Sequence, residues 1–225
     1  MQRIPVILSW SGGKDSALAL HVLQQDARYQ LAGLLTSIND HYARISMHGV
    51  REDLLDAQAA AIGLPLHKIR LSEHPSNEEY EQKMRSALEA FKSQGIRHVA
   101  FGDLFLDDIR QYRLDNLQKM DMHAIFPLWH RPTEALAREF IALGFKAVLC
   151  CVDGQVLNAG FAGRAYDETL LDDLPTGIDP CGENGEFHSF VHAGPIFREP
   201  ISLRTGERVT REQRFHFCDL LATEN

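Results

Sequence analysis

Short apolar runs alternate with helix-like segments along the first two thirds of the chain. The apolar runs are typical of buried strands and cover residues 4–8, 31–36, 66–71, 98–102, 123–126 and 147–152. The segments between them are typical of helices and cover residues 17–23, 51–62, 77–93, 107–120 and 133–144. Strands of continuous apolar character that alternate with helices are buried on both faces and joined by right-handed crossovers. The first five runs therefore predict an α/β fold with a doubly wound, mainly parallel five-stranded sheet of Rossmann-like type.

Individual residues mark some of the predicted helix ends. Gly63 closes the second helix, and Pro65 just beyond it prevents the helix from continuing. Asn77 is the residue that we expect to cap the third helix at its N terminus. The rhythm changes in residues 173–200, which hold many glycines and prolines and show little helical period. This composition predicts an ordered loop with short strands.

The C-terminal part of the chain predicts a second, smaller unit. Residues 201–207 and 215–217 have the residue types of a closing β-hairpin. We place the boundary near Arg131 and Pro132, where the regular alternation ends. Residues 1–130 then carry the parallel sheet, and residues 131–225 form a smaller α+β subdomain.

Composition and charge exclude several classes of protein. The 225 residues are 44% hydrophobic and 24% charged, which is ordinary for a chain with an apolar core. The 23 Lys and Arg against 31 Asp and Glu leave a net charge of −8, which argues against a broad nucleic-acid surface. No run approaches the roughly 18 apolar residues of a membrane span. The N terminus shows no secretory h-region, so we expect no secretory leader. Adjacent Cys150 and Cys151 lie in an apolar run and are predicted to be buried thiols, so we expect a cytoplasmic protein.

A polar, glycine-bearing turn follows the first predicted strand, with the sequence Ser-Gly-Gly-Lys-Asp-Ser at residues 11–16. Ligands of doubly wound sheets bind at the carboxyl ends of the strands, where free N–H groups and the dipole of the next helix attract anions. Two glycines let the backbone approach a phosphate, and Lys14 supplies a full positive charge. The spacing is not that of a Walker A motif. These residues, here called the phosphate loop, predict a pyrophosphate site; the alternative is a glycine-rich turn with a solvated lysine.

Charged residues at the end of the fourth strand are further candidates. Asp103 follows this strand and is a candidate Mg²⁺ ligand, alone or through water, although it also suits the start of a helix. Arg110 and Arg113 lie three residues apart on one helical face. They are candidates to clamp a phosphate or a carboxylate, and the alternative is a solvated helix face.

A loop with two carboxylates lies in the irregular C-terminal part. Glu183 and Glu186 flank the turn-like pair Asn184-Gly185. Such carboxylates can orient ammonia, bind a cationic group or act as a base, and a purely structural turn is the alternative. His188 and Cys181 lie beside them, and neither belongs to a Cys/His cluster of zinc type.

The phosphate loop resembles the PP-loop of the N-type ATP pyrophosphatases, which cleave ATP between its α- and β-phosphates. Residues 45–51, 99–103 and 182–189 are in addition similar to the diphthine–ammonia ligase family, also described as the diphthamide-synthesis-related ATP-binding domain. The resemblance extends from the first strand to about Phe197. It implies a PP-loop (HUP-like) fold with an ATP-binding domain over residues 1–130 and a substrate-binding subdomain over the rest.

The resemblance also implies roles for single residues. The catalytic residues are expected to be Lys14, Asp103, Glu183 and Glu186. The nucleotide contacts are expected from Ser9, Ser11, Gly12, Gly13, Lys14, Asp15, Ser16, Thr36, Met47, His48, Gly102 and Arg113. The implied cofactors are ATP and Mg²⁺, with Asp103 as the metal ligand. The implied partners are ammonia and a carboxylate on a small molecule or a protein, and a homodimer is a candidate assembly.

Three functions are compatible with these residues. The leading one is an ATP-dependent amidoligase that adenylates a carboxylate and forms an amide with ammonia, releasing AMP and pyrophosphate. The second is a tRNA-modifying PP-loop enzyme, against which the net charge and the lack of a C-x-x-C pair both argue. The third is a nucleotide-binding sensor without turnover. The nucleotide product formed from ATP distinguishes them.

Overall fold

The computed structural model describes residues 2–40, 44–45 and 49–223 and contains the predicted parallel sheet. Its parallel strands are β1 (Ile4–Ser9), β2 (Tyr29–Asn39), β4 (Leu66–Leu71), β5 (His98–Ala100) and β6 (His123–Ile125). They lie in the order β4-β2-β1-β5-β6, and the short strand β3 (Arg44–Ile45) pairs antiparallel with the end of β2. The strand order reverses between β1 and β5. The phosphate loop follows β1, so it opens at the switch point where such sheets bind ligands.

Helices cover both faces of this sheet, as predicted. They are α1 (Lys14–Gln25), α2 (Glu52–Ile62), α3 (Asn77–Ser93) and α4 (Asp107–Gln118). Side chains of α1 and α2 belong to one apolar core, and those of α3 and α4 belong to a second core. Gly63 ends α2 in the left-handed conformation, with a φ of 81°. The expected cap Asn77 is wrong by one residue, because the hydroxyl of Ser76 accepts the hydrogen bond from the Glu79 N–H.

A four-stranded antiparallel sheet forms the C-terminal part. Its elements are α5 (Thr133–Ala142), β7 (Lys146–Asp153), α6 (Glu168–Asp173), β8 (Phe187–Ala193), β9 (Leu203–Arg211) and β10 (Phe215–Ala222). The strand order is β8-β7-β10-β9. Cys150 and Cys151 are buried in β7, which confirms the prediction for these thiols. The same apolar core that covers α1 and α2 continues into β7 and β8, and the boundary near residue 131 stays a prediction.

The closing hairpin is confirmed, and its turn has an unusual sequence. Residues 212–214 connect β9 to β10. Glu212 and Gln213 have φ angles of 51° and 52°, and the Arg214 N–H donates to the Arg211 carbonyl. Two successive left-handed residues are the geometry of a type I′ turn, which normally selects Asn-Gly. No helix in the described part of the chain is long and apolar enough to cross a membrane.

One fully buried amide joins the two sheets. Gln58 of α2 is 0% exposed, and its Nε2 donates to the carbonyl of Gly12 in the phosphate loop and to the carbonyl of Val191 in β8. Its Oε1 accepts from the indole N–H of Trp10 at 2.9 Å. The Val191 N–H in turn donates to the Gly12 carbonyl at 2.9 Å. The position of the phosphate loop therefore depends on the C-terminal sheet.

Replacing this amide should destabilise the whole fold. Gln58→Leu keeps a similar volume but leaves the indole N–H of Trp10 and the carbonyls of Gly12 and Val191 with fewer partners. We expect the free energy of unfolding to fall by about 2–4 kcal/mol, measured by urea denaturation. Gln24→Leu, at an exposed position of α1, should change it by no more than about 0.5 kcal/mol. Equal effects of the two substitutions would contradict the joining role of Gln58.

Candidate functional site

The phosphate loop opens on a cavity of about 250 Å³, here called the site cavity. The loop contributes Ser11, Gly13, Lys14 and Asp15, and the connection from β5 to α4 contributes Asp103 and Leu106. The C-terminal part contributes the remaining lining residues, which are Cys181, Gly182, Glu183, Gly185, Phe187, His188 and Ser189. The structure thus brings the predicted loop, acid and carboxylate segments to one place. Their functional roles stay predictions.

Backbone conformation and close packing set the shape of the loop. Gly12 has a φ of 76°, and a Cβ at this position would lie 2.7 Å from Oε1 of Gln58. The Gly13 N–H donates to the Ser11 hydroxyl at 3.3 Å, and the Lys14 N–H donates to the Ser189 hydroxyl at 3.2 Å. Both hydrogen bonds are longer than the usual distance of about 2.9–3.0 Å. A phosphate oxygen at the start of α1 is a stronger acceptor for these N–H groups than a serine hydroxyl.

Lys14 is a buried cation at the edge of the site cavity. It is only 5% exposed, and its Nζ lies 2.9 and 2.7 Å from the two carboxylate oxygens of Asp15. The Nζ also lies 5.6 Å from the ring centroid of Phe187. Burial lowers the pKa of Lys14, but the Asp15 carboxylate outweighs this effect and keeps the pKa above its ordinary value. The side chain therefore carries its charge at neutral pH.

Gly102 and Asp103 lie between β5 and α4. A Cβ at Gly102 would lie 2.9 Å from the backbone carbon of Asp15, so a side chain there would push α1 away from β5. The Asp103 carboxylate accepts from Nε and Nη2 of Arg113 at 2.5 and 3.1 Å. The guanidinium carbon of Arg113 lies 4.2 Å from the ring centroid of Phe101. Arg113 therefore holds Asp103 in a defined orientation at the cavity.

The two predicted carboxylates have different surroundings. Oε1 of Glu183 accepts from the Leu104 N–H at 2.8 Å, and burial, followed by the nearby Asp15 charge, raises the pKa of Glu183 to about 7. Glu186 is only 5% exposed, and its oxygens accept from the Asp179 N–H and from the backbone and side-chain amides of Asn184. Glu183 thus lines the site cavity, whereas Glu186 holds its own loop together. A catalytic role for Glu186 stays a prediction that this geometry does not favour.

His188 and Cys181 are uncharged at the cavity wall. Burial and the nearby Lys14 charge lower the pKa of His188 to about 4, so its imidazole is neutral at pH 7. Burial raises the pKa of Cys181 to about 12, and its thiol donates to the Thr133 carbonyl at 3.3 Å. A protonated, hydrogen-bonded thiol is a poor nucleophile.

Several predicted nucleotide contacts do not line the site cavity. Ser9 and Arg113 line a separate cavity of about 80 Å³ between α3 and α4. Thr36 is buried within β2, with 5% exposure. Met47 and His48 lie outside the described residues. The roles of Ser9, Thr36, Met47, His48 and Arg113 in nucleotide binding stay predictions.

Sequence reasoning missed three residues that shape the site. The Ser189 hydroxyl accepts from a backbone N–H of the loop, and the Phe187 ring lies near Nζ of Lys14. The Gln58 amide donates to a backbone carbonyl of the loop. A signal for Gln58 was present, because it interrupts the apolar stripe of α2 formed by Leu54, Leu55, Ala59, Ala61 and Ile62. A polar residue on a buried stripe indicates a specific partner. Ser189 and Phe187 belong to the stretch 182–189 that resembles the family, but their contacts with the loop arise only where β8 packs against it.

Comparison with known proteins relates both parts of the chain to one family. A family model described as the diphthamide synthase N-terminal domain matches residues 4–120, and one described as the diphthamide synthase C-terminal domain matches residues 132–221. Proteins named diphthine–ammonia ligase are similar over most of the chain. The Mus musculus protein is 26% identical over 88% of this chain and 82% of its own length, and the Danio rerio protein is 27% identical over 88% and 86%.

The raised pKa of Glu183 predicts a pH-dependent stability. The folded protein holds this proton up to about pH 7, whereas the unfolded chain releases it near the ordinary value of 4.5. The stabilisation is complete below that ordinary value and is lost as the pH rises through about 7. The Gln side chain of Glu183→Gln cannot ionise. The free energy of unfolding of this variant should therefore rise relative to that of the wild type between about pH 5 and about pH 8, by on the order of 1 kcal/mol for a partly solvated group.

Urea denaturation of both proteins at several pH values measures this difference. Glu89→Gln, at an exposed position of α3, is the control and should follow the wild type at every pH. A constant difference between Glu183→Gln and the wild type would show that Glu183 titrates in its ordinary range.

Proposed function

The chain belongs to the diphthamide synthase family, and we therefore propose that it is an ATP-dependent amidoligase. In this reaction a carboxylate of the acceptor attacks the α-phosphate of ATP, pyrophosphate leaves, and ammonia then displaces AMP to form an amide. The relatives are named for joining ammonia to diphthine. For this chain the acceptor is a carboxylate of a small molecule or a protein. The observation that carries the proposal is a buried, charged lysine at the start of α1, facing a cavity that also holds a titratable carboxylate.

The phosphate loop supplies the groups that a leaving pyrophosphate requires. Negative charge grows on the β-phosphate oxygens as the bond to the α-phosphorus breaks. We expect Lys14 and the N–H groups of Gly13 and Lys14 to receive this charge, because both residues line the site cavity and these groups are held by hydrogen bonds. Groups that are fixed in advance stabilise a transition state without a cost of reorganisation.

We propose that Mg²⁺ binds with the triphosphate rather than in a preformed protein site. No three His, Cys, Asp or Glu side chains converge on a metal position in the part of the chain that the structure describes. Mg²⁺ is commonly held by one or two carboxylates together with substrate phosphates and water. Asp15 and Asp103 both line the site cavity, so they suit this arrangement. When bound, the ion would neutralise charge on the phosphates.

Glu183 is the residue that we propose as the base for the amide-forming step. A nitrogen that attacks an acyl-adenylate must lose protons, and a base with a pKa near the working pH accepts them most effectively. Glu183 has such a pKa and lines the same cavity as Lys14.

The homodimer and the cytoplasmic location stay predictions from the sequence.

The nucleotide product tests the proposed function. Purified protein is incubated with Mg²⁺ and ATP, with and without ammonium and candidate carboxylates, and the products are separated by chromatography. AMP and pyrophosphate that depend on a carboxylate and ammonium support the amidoligase. ADP would contradict it, and tight ATP binding without any turnover would favour a sensor.

Removing the buried cation should abolish tight nucleotide binding. Lys14→Met keeps the length of the side chain and removes the charge that faces the phosphates. We expect the Kd for Mg-ATP to rise by roughly 100-fold or more, which corresponds to ~3 kcal/mol, in isothermal titration calorimetry. Lys146→Met, at the exposed start of β7, is the control and should leave the Kd unchanged. Unchanged binding by a folded Lys14→Met protein would contradict the role of the phosphate loop.

A further inference from the structure

Two arginines of α4 lie on a row of aromatic rings at the carboxyl edge of the parallel sheet. Phe101 follows β5, while Phe126 and Trp129 follow β6. The Phe101 and Phe126 ring centroids are 5.7 Å apart, as are those of Phe126 and Trp129. Arg113 covers Phe101, and Arg110, one helical turn earlier, lies over both of the other rings. Its guanidinium carbon is 5.3 Å from the Phe126 centroid and 5.0 Å from the Trp129 centroid.

The two arginines differ in their anionic partners. Arg113 donates Nε and Nη2 to the carboxylate of Asp103. Arg110 has no ion pair within the described residues, and its Nε is their single buried side-chain nitrogen or oxygen without a hydrogen-bond partner. Aromatic rings attract a guanidinium but do not accept its in-plane N–H groups. A buried donor without a partner costs about 1–3 kcal/mol, so it calls for an explanation.

We propose that Arg110, held on Phe126 and Trp129, binds a carboxylate of the acceptor substrate other than the one that is adenylated at the phosphate loop. The Asp103–Arg113 pair shows that a guanidinium stacked on an aromatic ring donates to a carboxylate elsewhere in this fold. A carboxylate that receives Nε–H and Nη–H together forms the fork geometry typical of arginine. That the carboxylate belongs to the acceptor rests on the proposed amidoligase function. That Arg110 binds an oxyanion does not depend on that function.

The sheet order favours the acceptor over the nucleotide as the source of this oxyanion. The phosphate loop follows β1, and the rings under Arg110 follow β6, which is two strands away in the order β1-β5-β6. Neighbouring strands are ~4.8 Å apart, so the two positions are separated by roughly 10 Å. Between them lies the connection from β5 to α4, where Glu183 accepts from the Leu104 N–H. An acceptor on Arg110 would thus lie on the far side of the proposed base from the phosphate loop.

The test uses the N–H signals of the arginine side chains in nuclear magnetic resonance of the full chain. The Arg110 Nε–H signal is assigned by its loss in Arg110→Lys, which keeps the positive charge. Sodium acetate is the probe, sodium chloride at equal ionic strength is the control, and Mg-ATP is titrated separately. We expect acetate to shift the Arg110 signal saturably, while the Arg113 signal, already bonded to Asp103, stays in place.

Arg110→Lys lacks the Arg110 Nε–H signal, so acetate binding to this variant is followed by the indole N–H signal of Trp129. Acetate should bind this variant at least tenfold more weakly than the wild type, and the buried Trp10 indole serves as the internal control. No saturable response of Arg110 to acetate would overturn the proposal. If the Arg110 signal responds saturably to Mg-ATP, and acetate competes with Mg-ATP for this response, the proposal is overturned too. Arg110 would then belong to the nucleotide site.

This experiment distinguishes a failure of the proposed carboxylate site at Arg110 from a failure of the proposed amidoligase function. Backbone amide signals of the phosphate loop report on Mg-ATP in the same samples. If they respond and Arg110 ignores acetate, the carboxylate site is wrong and the proposed function stands. If they do not respond to Mg-ATP, the proposed function is wrong, whatever Arg110 does.

Discussion

The buried side chain of Gln58 is the contact on which the architecture of the site depends. Its amide bonds Gly12 of the phosphate loop, the indole of Trp10 and Val191 in β8. One group of α2 thus joins residues 10–12 to a strand far away in the sequence. All of these bonds are shielded from water, where an unsatisfied polar group is costly. The loop therefore cannot shift without also disturbing the C-terminal sheet. This coupling explains why both parts of the chain line one cavity.

The charges around that cavity follow from the same enclosure. Burial would discharge Lys14, and the adjacent Asp15 prevents this. Burial favours the uncharged form of Glu183 in the same way, so the pKa of Glu183 rises to about 7, and burial also keeps His188 uncharged. One enclosed pocket thus contains a permanent cation, a carboxylate that titrates near pH 7 and a neutral imidazole. Nucleotide cleavage needs the first, and the removal of protons from an incoming nitrogen needs the second.

Much of the fold could be read from local patterns. The alternation of apolar runs and helical periods predicted the five parallel strands, and Gly63 marked the end of α2 correctly. These signals work because strand burial, helical period and backbone conformation at glycine act within a few residues. The tight turn at Glu212 and Gln213 escaped prediction, since neither residue favours the left-handed conformation. The pairing of β9 with β10 imposes it.

The sequence sufficed to predict the position of the phosphate loop between β1 and α1, because a strand, two glycines, a lysine and a helix are contiguous there. It also identified Asp103, Arg110, Arg113 and Glu183 as candidate residues. Only the folded chain distinguished them: Arg113 is occupied by Asp103, whereas Arg110 is not, and Glu183 lines the cavity, whereas Glu186 supports its own loop. Partners and burial arise between segments that are distant along the chain, and they set the charge and availability of each side chain. No local pattern records them.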